Sequence, residues 1–146
     1  MSSTFGGLAR ITTTDTITTN ATGGTFDKLT SWNLAMAASV GVTASAANDT
    51  LTCPIAGDYR VHFSITVDGN DDVYTFKVYK AGSATSAGVQ SVEIESGRRV
   101  VVACTFFETV SAGQSLDVRV AAVGNSKSLD IVRGQFTAEL VSGGTV

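Results

Sequence analysis

Few residues in this chain are equipped for chemistry, and their spacing argues against most of it. There is one histidine, His62. Triad catalysis needs Ser, His and Asp converging in a cleft. His62 instead falls between Arg60 and Ser64 on the polar side of an alternating stretch, which is the position of a surface strand residue. Cys53 and Cys104 are far apart and match neither CxxC nor a zinc spacing. They read as small thiols on strands. They can pair only if their strands lie face to face, and assembly in a reducing cytosol argues against a bridge. Cys53 with His62 has no third group to orient it, so no thiol protease is expected. Asp68-x-Asn70-x-Asp72 matches the first three ligand positions of a calcium loop, but Val73 stands where glycine is needed and Tyr79 where the bidentate glutamate belongs. A turn is expected there, and no metal. Gly124-Asn125-Ser126-Lys127-Ser128 ends like a phosphate loop, but with the wrong spacing and no helix after it. Asn20-Ala21-Thr22 is a formal glycosylation sequon. Trp32, the only tryptophan, sits beside Leu34 and Met36 and reads as packing rather than a sugar platform. The expectation is a protein that is not an enzyme and needs no cofactor.

The elements that carry these residues are strands. Length, 146 residues, is that of one domain. A net charge of −3 excludes binding nucleic acid through a basic field. No 18-residue apolar run spans a membrane. Mean hydropathy of +0.21 excludes disorder of the whole chain. Arg10 is the first charge and no signal-type apolar stretch follows it, so a start in the cytosol is expected.

Tyr59, Val61, Phe63, Ile65 and Val67 alternate with polar residues, and so do Tyr74, Phe76 and Val78. With Asp68-Gly69-Asn70-Asp71 between them, the two stretches predict a hairpin. Residues 81–84 read as a flexible loop, followed by a short strand at Val92 and Ile94. Ser96-Gly97-Arg98, Ser111-Ala112-Gly113-Gln114 and Gly124-Asn125-Ser126 are turns. Alternation returns at Leu116–Val120, Leu129–Ile131 and Phe136–Leu140. Ala44–Ala47 has helix propensity but is too short to stand alone. The pattern predicts an all-β antiparallel sandwich, a jelly roll if residues 1–50 supply the missing strands. That first third holds 17 of the Ser and Thr but only five charges. Residues 1–30 read either as an N-terminal arm or as the first strands, with Leu8–Ile11 one candidate, and residues 31–146 as the jelly-roll domain.

One stretch is apolar on both faces. Val100, Val102, Cys104 and Phe106 form one face of residues 100–107; Val101, Ala103, Thr105 and Phe107 form the other. Only one face of a sandwich sheet meets the core. Leaving Val101 and Phe107 in water would forfeit roughly 3–6 kcal/mol. A neighbouring subunit is one cover for that face, and the N-terminal arm is the other.

Leu51–Phe63, with Pro54-x-x-Gly57-x-Tyr59 at its centre, resembles the signature of the tumour-necrosis-factor and complement globular-head superfamily. Val110–Val118 is similar to that family's later turn and strand, and Phe136–Leu140 to its closing strand. The likeness spans residues 45–141, although Val61 stands where vertebrate members usually carry Phe. The resemblance implies a jelly-roll homotrimer packed about a three-fold axis. The expected interface is Val101, Ala103, Thr105 and Phe107, with Tyr59 and Tyr74. The Ser/Thr/Gly/Ala-rich style is similar to virion proteins of tailed bacteriophages, which use this fold as capsid decoration and as fibre tips. The expected role is therefore a decoration, or cement, trimer on the outer capsid surface, assembled in the host cytoplasm with the major capsid protein as partner. Phe5, Leu8, Arg10 and Ile11 would then belong to a capsid-binding arm. The alternative is a receptor- or glycan-binding tip of a head or tail fibre, with a surface glycan as partner.

Overall fold

The computed structural model describes residues 4–37 and 39–143. Twelve strands run in chain order: β1 Phe5–Arg10, β2 Asp15–Thr18, β3 Asp27–Lys28, β4 Leu34–Ala35, β5 Thr43–Ser45, β6 Thr50–Cys53, β7 Gly57–Gly69, β8 Asp72–Lys80, β9 Ser83–Ile94, β10 Val100–Val110, β11 Gln114–Ala122 and β12 Ser128–Gly143. They form two sheets. The front sheet has the order β10-β7-β12-β1-β4, with β2 also on β12. The back sheet has the order β5-β6-β11-β8-β9, with β3 also on β11. The paired strands are antiparallel throughout.

From β9 onward the chain changes sheet at every connection, so the closing strands interleave front and back as a jelly roll requires. Each long strand turns its apolar set inward. Tyr59, Phe63 and Phe136 of the front sheet meet Tyr74, Phe76 and Leu116 of the back sheet, all without exposure. At ~1.5–3 kcal/mol per buried side chain, this two-layer core is the main source of stability. Half-buried Lys80 of β8 bridges the layers, its Nζ donating to Glu108 Oε2 at 2.7 Å and to the Thr109 carbonyl at 2.8 Å.

Several expectations change. The stretches 59–67 and 74–78 are not a hairpin: β7 lies in the front sheet and β8 in the back. Phe63 and Phe76 face each other across the core with ring centroids 6.4 Å apart. Alternation reveals which face of a strand is apolar, and it does not name the strand's neighbour. Tyr59 and Tyr74 are fully buried, so neither belongs to a subunit interface. Each pins the turn before its strand. Tyr59 Oη donates to the Ile55 carbonyl at 2.7 Å, and Tyr74 Oη to the Asn70 carbonyl at 2.8 Å. Residues 81–84 are not a loop either. Ala81 (φ 49°) and Gly82 (φ 84°) make a two-residue hairpin turn, and β9 begins at Ser83, with a break in register between Ala84 opposite Tyr79 and Val89 opposite Lys77. Its Ser, Ala and Thr lack the branched-apolar signal of a strand, which hid it in the sequence. Ala44 joins β5, and residues 46–49 turn without a helix.

The first third supplies strands rather than an arm. β1 lies between β12 and β4, and Leu8 is fully buried opposite Phe136. Phe5 and Arg10 are half-buried, and Ile11 alone of the proposed arm residues stays exposed. Residues 2 and 3 lie outside the described residues. Arg10 is tied down locally, its guanidinium donating to the carbonyls of Thr13 and Ser31, both at 2.8 Å. The reading of Phe5, Leu8 and Arg10 as part of a capsid-binding arm is corrected accordingly: a strand inside the sheet cannot be offered to another protein.

Asp49 is an unusual buried group. It sits at φ 57° with Oδ1 lacking a hydrogen-bond partner. Burial pushes its carboxyl pKa up, against the smaller opposing pull of the Trp32 backbone N–H and Lys28. A raised folded-state pKa gives a contribution that is fully present below the unfolded value and is lost as pH rises through the folded one. Above the ordinary carboxylate range that contribution is reduced, because the buried site disfavours the ionised form. Asn tolerates the left-handed backbone and carries no charge. Asp49→Asn is expected to raise Tm at pH 7 by about 2–4 °C for each kcal/mol recovered. The gain should vanish near pH 3 in a pH series of thermal melts.

Candidate functional site

The outward face of the front sheet is built from five strands in register. Phe107 of β10 stands opposite Arg60 of β7, which faces Glu139 of β12 and then Phe5 of β1. The next row is Thr105, His62, Thr137 and Gly7. Then come Ala103, Ser64, Gln135, Ala9 and Leu34. Val101, Thr66 and Arg133 close the face after a bulge in β12.

One edge of this face is raised and apolar. Val101 is 62% exposed and Phe107 61%, with Ala103 and Thr105 exposed between them. The four β10 residues read from the sequence thus do share one open face. Val102 and Phe106 turn inward, with Val100 and Cys104 partly buried beside them. Among the described residues the N-terminal segment does not cover the open face, because β1 lies on the far side of β7 and β12. β10 is also the outermost strand. It runs 11 residues with no bulge against β7 and no proline, the kind of flat apolar edge that recruits another chain. Arg60 leans over the Phe107 ring at 5.6 Å and reaches Glu139 Oε1 at 3.3 Å. His62 Nδ1 lies 2.7 Å from Thr105 Oγ1. Below Arg60, Asp58 accepts from Thr109 Oγ1 at 2.6 Å and Ser142 Oγ at 3.0 Å; these two bonds, Thr109's first, hold its carboxyl below the usual range.

The other edge is hollowed. Gly7 and Ala9 leave a low floor, and Leu34 and Met36 form its wall. A Cβ on Gly7 would meet Met36 Sδ at 2.6 Å and Thr137 Cγ2 at 2.9 Å. A hollow of about 220 Å³ lies among Phe5, Gly7, Met36, Ser39, Thr137 and Glu139. A wider depression of about 550 Å³ adjoins it, lined by Ala9, Ile11, Leu34, Met36, Arg133 and Gln135 among others. Sequence reading missed this half of the face. The signal present was Gly6-Gly7 inside a strand, which marks a close approach.

In solved structures, the chain is similar over 100% of its length to the Eiger TNF of S. frugiperda, with TM-score 0.75, 9% identity and 97% of that chain covered. It is similar over 97% of its length to the globular domain of zebrafish complement 1qA protein, with TM-score 0.62, 15% identity and 99% of that chain covered. The fold is the TNF-like jelly roll. No protein-family description and no curated protein matches the sequence. At these identities the likeness concerns the fold.

Within the TNF-like jelly roll, the remaining candidates serve structure. Asn70 Oδ1 accepts the Ser128 N–H at 2.8 Å, while Asp72 takes the N–H groups of Val73 at 2.7 Å and Gly124 at 2.8 Å. Asp68 accepts from Gly69 at 2.7 Å. These oxygens fasten the β7–β8 crossing to the start of β12, using Gly124 from the phosphate-loop-like run. Asn20 forms an Asx turn with Thr22 at 2.8 Å. Cys53 and Cys104 are both free thiols. Burial pushes the Cys53 thiol pKa up to about 12, which leaves it a poor nucleophile. Trp32 is buried and stacks on Phe136 at 6.0 Å. Phe26 and Tyr79 pair on the back sheet, but Lys77 lies over the first ring at 4.5 Å and Arg119 over the second at 4.3 Å. Those cations occupy ring faces on which a sugar would stack.

Proposed function

We propose that the chain is a non-enzymatic structural protein that closes into a homotrimer through the front sheet and decorates a viral capsid. One observation carries the assembly. The raised edge and the hollowed edge lie at matching heights on the same sheet. Phe107 shares a row with Glu139 and Phe5 of the hollow. Val101 shares a row with Thr66 and Arg133 of the depression. The two edges are separated by roughly 15 Å, three strand spacings. A contact in which β10 of one copy enters the hollow of the next is head-to-tail, and such contacts make rings when they close and filaments when they do not. Matching heights mean that successive copies do not climb along the strands, which favours a ring about an axis parallel to them. Three copies follow from the family resemblance.

The capsid reading is supported by the Ser/Thr-rich, weakly charged composition of the chain. Shell contacts would use what the ring leaves open, namely the back sheet and the strand ends. Emptied capsids lacking decoration, mixed with the purified protein, are expected to bind it and to resist heat better than untreated capsids. Glycan-array binding without capsid binding would overturn the decoration role in favour of a fibre tip.

A further inference from the structure

We propose that His62 makes this ring acid-labile. The proposal rests on the ring reading above and concerns the regulation of the same face. His62 stands mid-row between Thr105 and Thr137, one row from the raised edge residue Phe107 and one strand from the hollow floor at Gly7. A neighbour seated across those edges covers it.

The charged groups around it are few. On β7 itself, Arg60 pairs with Glu139 and Asp58 is held by two hydroxyls. From β12, Glu139 faces Arg60 and Arg133 lies two rows away. β10 brings no titratable side chain to this face, since it presents Val101, Ala103, Thr105, Phe107 and Thr109. β1 and β4 present Phe5, Gly7, Ala9 and Leu34. With His62 neutral, Arg60 and Arg133 balance Glu139 and Asp58, and Arg10 at the rim of the depression adds a positive charge tied to the Thr13 and Ser31 carbonyls. Imidazole is the side chain whose charge changes between about pH 5 and 8. Its protonation adds one uncompensated positive charge per copy, hence three around the ring, in a place that closure removes from water. An unpaired charge is costly to desolvate, so the open single chain binds the proton more tightly than the ring does. By linkage, proton uptake then drives dissociation.

The 2.7 Å contact adds a geometric element. When His62 is neutral, Nδ1 and the Thr105 hydroxyl share one proton along their hydrogen bond in either direction. Protonation fixes Nδ1 as donor to the Thr105 hydroxyl and makes donors of both ring nitrogens. His62 is the only histidine, so no other side chain of this type responds in the same range.

The test is sedimentation velocity of the full chain at pH 7.5 and pH 5.5, with His62→Gln alongside. The wild type is expected to run as a ring at pH 7.5 and to dissociate at pH 5.5, with an apparent dissociation constant at least about tenfold higher. The near-ultraviolet circular dichroism of Trp32 and the buried tyrosines is expected to stay unchanged. His62→Gln should remain a ring at both values. A wild-type ring that persists at pH 5.5, a His62→Gln protein that dissociates with the same profile, or dissociation that accompanies loss of the dichroism each overturns the proposal. Single chains at both pH values overturn it together with the ring beneath it.

Discussion

Phe107→Asp is expected to convert rings into folded single chains. The side chain is 61% exposed on one chain, so its replacement removes nothing from the core. Its loss is felt only where a neighbour covers it. Burying a phenylalanine contributes about 1.5–3 kcal/mol, and a ring of three has three such contacts. The aspartate adds a desolvated charge close to Glu139, which Arg60 already neutralises. The summed effect is several kcal/mol, or at least about a thousandfold in the ring's dissociation constant. Mass by light scattering is expected to fall to that of one chain, with Tm of the isolated chain moved by less than about 1 °C. A mutant protein of unchanged mass would mean that β10 is covered by something else or not at all.

Deleting residues 4–20 is expected to abolish folding. β1 pairs with β12 over six residues, from Phe5 opposite Glu139 to Arg10 opposite Gly134, and β2 pairs with β12 from Asp15 to Thr18. Removing them strips the inner side of the longest strand and uncovers Phe136, which faces Leu8. Leu→Ala at a buried site alone costs about 2–5 kcal/mol. A domain has about 5–15 kcal/mol in total. Losing Leu8, its pairing and the β4 contact together exceeds that margin. Far-ultraviolet circular dichroism of the truncated chain should lose its sheet signal, while Leu8→Ala should stay folded with a lower denaturation midpoint. A truncated chain that melts cooperatively would restore the arm.

The strands most legible in the sequence were those with one polar and one apolar side, because period-two alternation is a direct image of a half-buried strand. β7, β8, β11 and the end of β12 were read that way. The two-faced apolarity of residues 100–107 also survived translation, since Val101 and Phe107 do stand in the open. What alternation cannot carry is the identity of a strand's neighbours. That is why β7 and β8 looked like a hairpin and why Tyr59 and Tyr74, apolar-face residues of core strands, were assigned to an interface. The second half of β1 was legible within Leu8–Ile11, and its first half was obscured by Gly6 and Gly7, which weaken any strand signal and which the structure uses for close approach beneath Val42 and Met36. The hollow half of the front face was invisible for the same reason: its floor is made of side chains that are small or missing. The pairing of His62 with Thr105 joins residues on separate strands and needs the β7–β10 register, which only the fold supplies.

The central claim is that the front sheet closes a ring of three. The most direct measurement is the absolute mass of the purified chain by light scattering across a dilution series at pH 7.5. The expected value is about 45 kDa, three times the 15.0 kDa of one chain, constant over the upper part of the series. A mass of one chain at every concentration would contradict the claim. So would a mass that grows without limit as concentration rises, because the two edges would then be joining copies into an open filament and not a closed ring.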